Sequence, residues 1–325
     1  MTKKALVTGA AGYIGRILCR ILELNGWEVV GVDMKWESNF PCNTYWSASY
    51  DDPQLYENEK YDVIFHLAAN SLLGPSVENP LDYFDNNVCR LNRMLQHIVE
   101  NKSCENIIFA SSAATYGDPN KNIALKEEHA GQPCNPYGWS KLMGEHILEQ
   151  ACLAHGIKAY AMRFFNVTGS YANLGQDLDQ PHILTKMCLA AIKNETFYIN
   201  GNDYDTYDGS CVRDYIHVVD VCHALIAAAN PIINDEPTSF TEYNIGNGTQ
   251  LSNIELAMLM HEKYNMKFEF VDSRPGDPGY LYSNSTNMNK ELNFYPQYNI
   301  NEIIEFHYAY VKYKLNEKAN LNEYY

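Results

Sequence analysis

The chain has 325 residues, of which 46% are apolar, enough for one large domain or two modest ones with a real core. A formal net charge of -16 repels polyanions, so duplex nucleic acid and an anionic membrane surface are excluded as main partners, while a few local arginines still leave room for a small anionic substrate. Nine cysteines with no C-x-x-C pair and no Cys/His cluster at zinc spacing read as reduced thiols without a metal site, and no apolar run is long enough to span a membrane.

Ala5–Thr8 is the first expected strand; its apolar run is too short for a secretory signal and enters a glycine turn directly, so a cytoplasmic protein is expected. Tyr13–Asn25 follows as a helix with Ile14, Ile17, Leu18, Ile21 and Leu22 on one face, stopped at Gly26. Strands are expected at Glu28–Asp33 and Asp62–His66. A long helix is expected from Pro80 to about Glu100, with Leu91, Leu95 and Ile98 at helical spacing. Then come a strand at Asn106–Ser111, a helix at Pro136–Gly156 and a strand at Lys158–Phe164. This alternation predicts parallel strands joined by crossover helices, an α/β fold with a doubly wound parallel Rossmann sheet.

After Asn166 the pattern turns polar and irregular. Short strands are expected near Phe197–Ile199 and Val212–Ile216, a helix at His217–Ala229, and a strand at Tyr243–Ile245 that returns to the main sheet. Ser252–Tyr264, Lys267–Val271 and a helix from about Asn301 to Leu315 complete the chain, with Asn320–Tyr325 expected to fray. The reading is a dinucleotide-binding domain of residues 1–168 plus about 212–247, and a smaller interleaved α/β lobe of about 169–211 plus 248–325.

Gly9, Gly12 and Gly15 stand between a strand and a helix, the context in which three such glycines hold a dinucleotide. The first allows the tight turn, the second lets a pyrophosphate approach the backbone, and the third allows close helix–strand packing. Asp33, at the end of the next strand, suits the two ribose hydroxyls and repels a 2′-phosphate, so NAD is expected rather than NADP. Tyr137 and Lys141 lie four residues apart and share a helix face. A free tyrosine titrates at about 10 and is a poor base at neutral pH. The neighbouring ammonium and a nicotinamide cation are expected to lower it, so that the phenol takes a hydroxyl proton while hydride leaves the same carbon. Ser112, at the end of its strand, is placed to relay that proton, and Arg213 and Arg274 are natural partners for a phosphate pair.

The chain resembles the extended short-chain dehydrogenase/reductases and, within them, the UDP-glucose (UDP-galactose) 4-epimerases. The resemblance runs from Lys4 to about Asn289 and rests on Thr8–Gly15, His66-Leu67-Ala68-Ala69, Asp85-Asn86-Asn87-Val88, Ser111–Gly117, Asn135–Lys141, Arg163–Asn166, Gly201–Tyr204, Asp208–Val218 and Arg274–Asp277. It implies that Tyr13 and Ile14 lie on the cofactor phosphates, that Leu67, Ala68, Ala69 and Asn87 line the NAD site, and that Phe165 closes it. It implies that Ser112, Tyr137 and Lys141 are catalytic. It assigns the UDP portion to Asn166, His182, Ile183, Leu184, Tyr198, Ile199, Asn200, Arg213, Tyr215, Arg274 and Asp277. The implied chemistry is C4 oxidation to a 4-keto sugar, rotation of that sugar, and return of the hydride to its other face. A homodimer pairing the helices near Pro80–Glu100 and Pro136–Gly156 is also implied.

Departures from the family pattern are expected to matter. Ser49, followed by Tyr50, stands where the family often has Asp before its adenine contact, Ser71 replaces a Lys, and Phe164 a frequent Tyr. Leu281 occupies the position limiting the sugar's 2-substituent, so the resemblance extends to N-acetylated sugars, with Tyr280 and Tyr282 flanking it. Ala113 and Ala114 argue against a dehydratase or decarboxylase, which need an acid just after the serine. A 4-reductase, a uronate epimerase and a dinucleotide-binding protein without turnover stay open as alternatives.

Overall fold

The computed structural model describes residues 2–37, 40, 42–119, 121–180, 182–234, 239–274 and 276–322. The first half alternates as expected: β1 (Lys4–Thr8), α1 (Tyr13–Leu24), β2 (Glu28–Asp33), β3 (Thr44–Ser47), β4 (Val63–His66), α2 (Leu73–Glu78), α3 (Pro80–Phe84), α4 (Arg90–Asn101), β5 (Asn106–Ser112), α5 (Pro136–His155) and β6 (Lys158–Phe164). The second half adds β7 (Asn166–Thr168), α6 (Ile183–Lys193), β8 (Thr196–Asn200), β9 (Val212–Arg213), β10 (Tyr215–His217), α7 (Val218–Ile233) and β11 (Phe240–Ile245). It ends with β12 (Leu251–Ser252), α8 (Asn253–Tyr264), β13 (Lys267–Val271), β14 (Tyr280–Leu281), α9 (Thr286–Glu291) and α10 (Ile300–Asn322).

Seven strands form one parallel sheet in the order β11-β6-β5-β4-β1-β2-β3. The order reverses at β1 and β4, the switch point where open α/β sheets bind ligands beyond their strand ends. Successive residues of the central strands enter opposite layers: Ala5 and Val7 pack in a core with α1 and α7, and Leu6 in a core with α4 and α5. A third core joins α6, α8 and α10 to β8 and β13. Smaller sheets, β10-β7, β12-β9-β14 and β13-β8, lie outside the main one. Among the described residues, no helix is long and apolar enough to cross a membrane.

Several expectations need correction. The single helix from Pro80 to Glu100 is α3 and α4 joined by a π-helical turn over Asp85–Cys89. That turn buries both Asn86 and Asn87 and frees the Asn86 carbonyl for the Tyr50 hydroxyl. The strand expected over Val212–Ile216 breaks at Asp214, whose carboxylate is turned inward to accept the backbone N–H groups of Asn247, Gly248 and Ser283. His217 is the N-cap of α7 rather than its first residue, and Ser252 caps α8 in a reciprocal capping box with Glu255. The α10 backbone runs to Asn322, and the rest of the end expected to fray lies outside the described residues.

Candidate active site

The C-terminal edge of β1 opens onto three glycines that are not equivalent. Gly9 takes φ +68°, and a Cβ there would lie 2.7 Å from the Ala68 nitrogen. A Cβ on Gly15 would lie 2.1 Å from the Gly9 carbonyl oxygen. Both positions are closed by the chain's own packing. A Cβ on Gly12 would meet only the Gly9 oxygen, at 3.1 Å, so the chain leaves its outer side clear. Gly12 is the N-cap of α1, where the first-turn amides at Tyr13 and Ile14 have no carbonyl one turn back. The result is a cradle for an anion that a side chain would begin to fill, and a dinucleotide's pyrophosphate fits it.

Asp33 ends β2 beside this turn, accepting the Ala11 N–H at 3.1 Å and the Lys35 N–H at 3.0 Å. Buried His66 ends β4; burial drives its pKa down to about 3, so the ring is neutral, and its Nδ1 shares a hydrogen bond with the Thr8 hydroxyl at 2.8 Å. Thr8 Oγ1 in turn accepts the Ala68 N–H at 3.2 Å, fixing the Leu67–Ala69 segment beside the glycines. Asn87 accepts the Asn70 N–H at 2.8 Å and donates to the Asn70 carbonyl and to Ser140 Oγ, both at 2.9 Å. Ser140 donates to the Tyr137 carbonyl at 2.8 Å, which ties the π-turn to the start of α5.

Asn135 caps α5 by accepting the Gly138 N–H at 2.9 Å, and Pro136 holds its first position. Tyr137, half-buried, lies beside Ser112 at the end of β5. Lys141, buried one turn further on, donates to the Ala110 carbonyl at 2.7 Å, with its ammonium 5.0 Å from the Phe109 ring centre. Burial lowers its pKa to about 7, opposed by Glu145. The expected lowering of the phenol's pKa rests on the nicotinamide cation as well as on Lys141, and the protein alone does not produce it. Burial raises the Tyr137 pKa, and the neighbouring Ser112 hydroxyl only partly offsets this. The ammonium bonds the Ala110 carbonyl and is not among the groups that lower the phenol's pKa, so the protein's own groups do not by themselves activate Tyr137.

The substrate candidates fall into three places. Ile183, Tyr198, Ile199, Asn200, Arg274 and Asp277 line one cavity of about 480 Å³. Arg213 sits on β9 in register with Leu281 of β14, its guanidinium donating to the Val212 and Pro278 carbonyls at 2.9 and 2.8 Å. Leu281 and buried Phe165 pack with Ala113 beside Ser112, and the Asn166 N–H donates to the Asp214 carbonyl at 2.9 Å. Tyr215 and Leu184 are buried in the third core, Leu184 offering a ligand only its backbone, and exposed His182 is the N-cap of α6. Ser49 accepts from Arg90 Nη1 at 3.2 Å and donates to Asp51, while Tyr50 is buried behind it.

Residues 5–246 match the family described as the NAD dependent epimerase/dehydratase family. The chain belongs to that family. It is 34% identical over 322 residues to a UDP-glucose 4-epimerase of Streptococcus mutans, covering 94% of this chain and 96% of that one. Among solved structures, the UDP-glucose 4-epimerase from Brucella ovis in complex with NAD superposes with a TM-score of 0.87 at 29% identity, covering 95% of this chain and 98% of the other. The UDP-Glc/GlcNAc 4-epimerase from Campylobacter jejuni has a TM-score of 0.80 at 31% identity, covering 95% and 99%.

Membership of the epimerase/dehydratase family directs attention to residues that sequence reasoning passed over. Lys186, Lys193 and Asn253 line the same cavity as Arg274, and nothing in the local sequence marks them. Glu145 and Arg163 form a buried ion pair behind Lys141. Glu145 continues the stripe of Tyr137 and Lys141 at the same spacing, so a signal was present.

Proposed function

We propose that this chain is a UDP-hexose 4-epimerase that inverts C4 reversibly through a transient 4-keto sugar and retains its NAD. The observation that carries the reading is Tyr137 beside Ser112 with Lys141 one turn below, at the strand ends of a sheet whose first turn is a glycine cradle. When bound, the nicotinamide accepts the C4 hydride and gives it back. Tyr137 takes and returns the 4-hydroxyl proton, and Ser112 steers the reacting oxygen. Lys141 supplies positive charge beneath the phenol. Asp33 holds the adenosine ribose and selects NAD. Arg213 and Arg274 grip the diphosphate, with Ile183 and Tyr198–Asn200 around the nucleoside. Firm hold on the nucleotide and loose hold on the sugar let the keto intermediate turn over. The named relatives support this reading.

A cytoplasmic homodimer completes it. On α5, Trp139, Met143 and Leu153 are 43%, 40% and 69% exposed along one stripe, which suits pairing with a second copy. The proposed division is a cofactor domain of residues 1–168 plus about 212–247 and a substrate lobe of the rest.

The N-acetyl pair is included among the substrates on a specific ground. Tyr280 and Tyr282 do not crowd Leu281: they pack with Val212 on the other face of the strand. Tyr280 Oη accepts the Tyr207 N–H at 3.0 Å, and the Tyr282 hydroxyl donates to Asn122 at 2.9 Å. Leu281→Tyr is therefore expected to cut kcat/KM for UDP-GlcNAc and UDP-GalNAc about 100-fold while sparing the glucose pair. Equal losses on both pairs would show that Leu281 does not gate the sugar. The reading itself is tested with purified protein, UDP-galactose and no added NAD. UDP-glucose should appear, and no product from this substrate or from the N-acetyl pair would defeat it.

A further inference from the structure

Arg90, the first residue of α4, closes the corner where the ends of β2 and β3 meet that helix. Asp33 and Ser47 are register partners there, and the Ala48 N–H donates to the Asp33 carbonyl at 3.0 Å. Met34 and Ser49 therefore stand on one rim. Arg90 Nη1 donates to Ser49 Oγ at 3.2 Å and lies 3.5 Å from Met34 Sδ, so one guanidinium bridges both segments. Its Nε pairs with Asp85 Oδ2 at 3.4 Å. The π-helical turn makes this pairing: the Arg90 N–H bonds the Asp85 carbonyl five residues back, which brings the two side chains onto one side of the turn.

This corner lies where the base of a bound dinucleotide has to go. With the pyrophosphate at the start of α1 and the ribose at Asp33, the base leaves the far side of the ribose and extends away from α1. The layer containing α1 lies on one face of the sheet and that containing α4 on the other, so the base reaches the α4 side, past Met34. Two carboxylates of the rim are already engaged: Asp85 by Arg90, and Asp51 by the Ser49 hydroxyl and by Arg93 Nε, the latter at 2.8 Å. Tyr50 is buried edge-on against His66. Trp36 precedes Glu37, which pairs with Arg16 of α1 on the opposite side. Left to meet the base are the thioether of exposed Met34 and the flat guanidinium, whose Nη2 has no hydrogen-bond partner among the described residues. A weakly hydrated planar cation and a polarisable sulfur both suit an aromatic face.

We propose that Arg90 seats the adenine ring of the cofactor, laying its guanidinium plane against the base with Met34 Sδ beside it. The proposal rests on Asp33 holding the adenosine ribose and is independent of the chemistry at C4 of the sugar. A 2′-phosphate is the other group an arginine here could take. The Asp33 carboxylate repels it, and Asp85 already offsets the Arg90 charge.

The test is the rate at which NAD-loaded protein exchanges its cofactor with radiolabelled NAD. Arg90→Ala should release NAD at least about tenfold faster than wild type. Arg90→Lys keeps the charge and loses the plane, so its rate should stay within about threefold of that of Arg90→Ala. Both variants should melt and bind UDP as wild type does. Exchange at the wild-type rate in Arg90→Ala overturns the proposal, and so does a lysine variant that recovers more, since charge alone would then suffice. An equal loss of UDP affinity overturns it by showing a loosened fold. A wild type that holds NADP more tightly than NAD, with Arg90→Ala losing only the NADP, overturns it in favour of a 2′-phosphate contact. A wild type that cannot be loaded with NAD overturns it outright. Exchange reads Arg90 even if the protein proves inactive on UDP-sugars; that separate result would sink the functional reading alone.

Discussion

Tyr137→Phe is expected to lower kcat by about 10²- to 10⁴-fold, the range for removing a general acid–base group, while the protein stays folded and keeps its cofactor. In barrier terms this is about 2.7–5.5 kcal/mol. The ring stays in place and only the hydroxyl is lost. Asn87 and Ser140 hold the Tyr137 backbone rather than its phenol, and Lys141 bonds Ala110, so the start of α5 should keep its geometry. Ser112 still accepts the Ala114 N–H at 3.2 Å, which holds the serine where it stands. A thermal melt close to wild type with turnover nearly abolished is the expected pair of results. Near-normal turnover would take the phenol out of the mechanism.

The second large effect separates two glycines that look alike in sequence. Gly15→Ala would drive a methyl to 2.1 Å from the Gly9 carbonyl oxygen, a backbone atom with nowhere to go. It should destabilise the fold by about 3 kcal/mol or more, at the upper end of overpacking. Gly12→Ala meets the same oxygen at 3.1 Å, which a shift of a few tenths of an ångström relieves, so its cost should be about 1 kcal/mol. Apart from that oxygen its methyl meets open space at the start of α1, where the cofactor's pyrophosphate is proposed to sit. Cofactor content should therefore fall at least about tenfold, a change worth about 1.4 kcal/mol, in a protein that still melts cooperatively. Denaturation curves and bound nucleotide released on denaturation check both. Gly12→Ala protein with full cofactor content would show that the pyrophosphate does not sit there.

These contrasts show what sequence reasoning can reach. The main sheet was legible because its central strands are buried on both faces and its helices carry one apolar stripe, so period and length suffice. The edge strand β3 was not: three of its four residues are exposed and one half-buried, which leaves no alternation to detect. The break between α3 and α4 was hidden because a π-turn keeps a helical composition. Tyr137 and Lys141 were legible as neighbours, since helix geometry alone sets their spacing. Their ionisation was not, because it depends on burial and on the Ala110 carbonyl that Lys141 has already taken as its partner. The pairing of Glu145 with Arg163 depends on the register of β5 and β6, which no local pattern encodes.

The central claim is that one bound nicotinamide receives and returns the same hydrogen while Tyr137 handles the proton. UDP-galactose carrying deuterium at C4, incubated with the purified protein and no added NAD, tests it most directly. The account predicts UDP-glucose with the deuterium still on C4. Product whose C4 hydrogen has come from solvent, or product formed only when reduced nicotinamide is supplied, would contradict it.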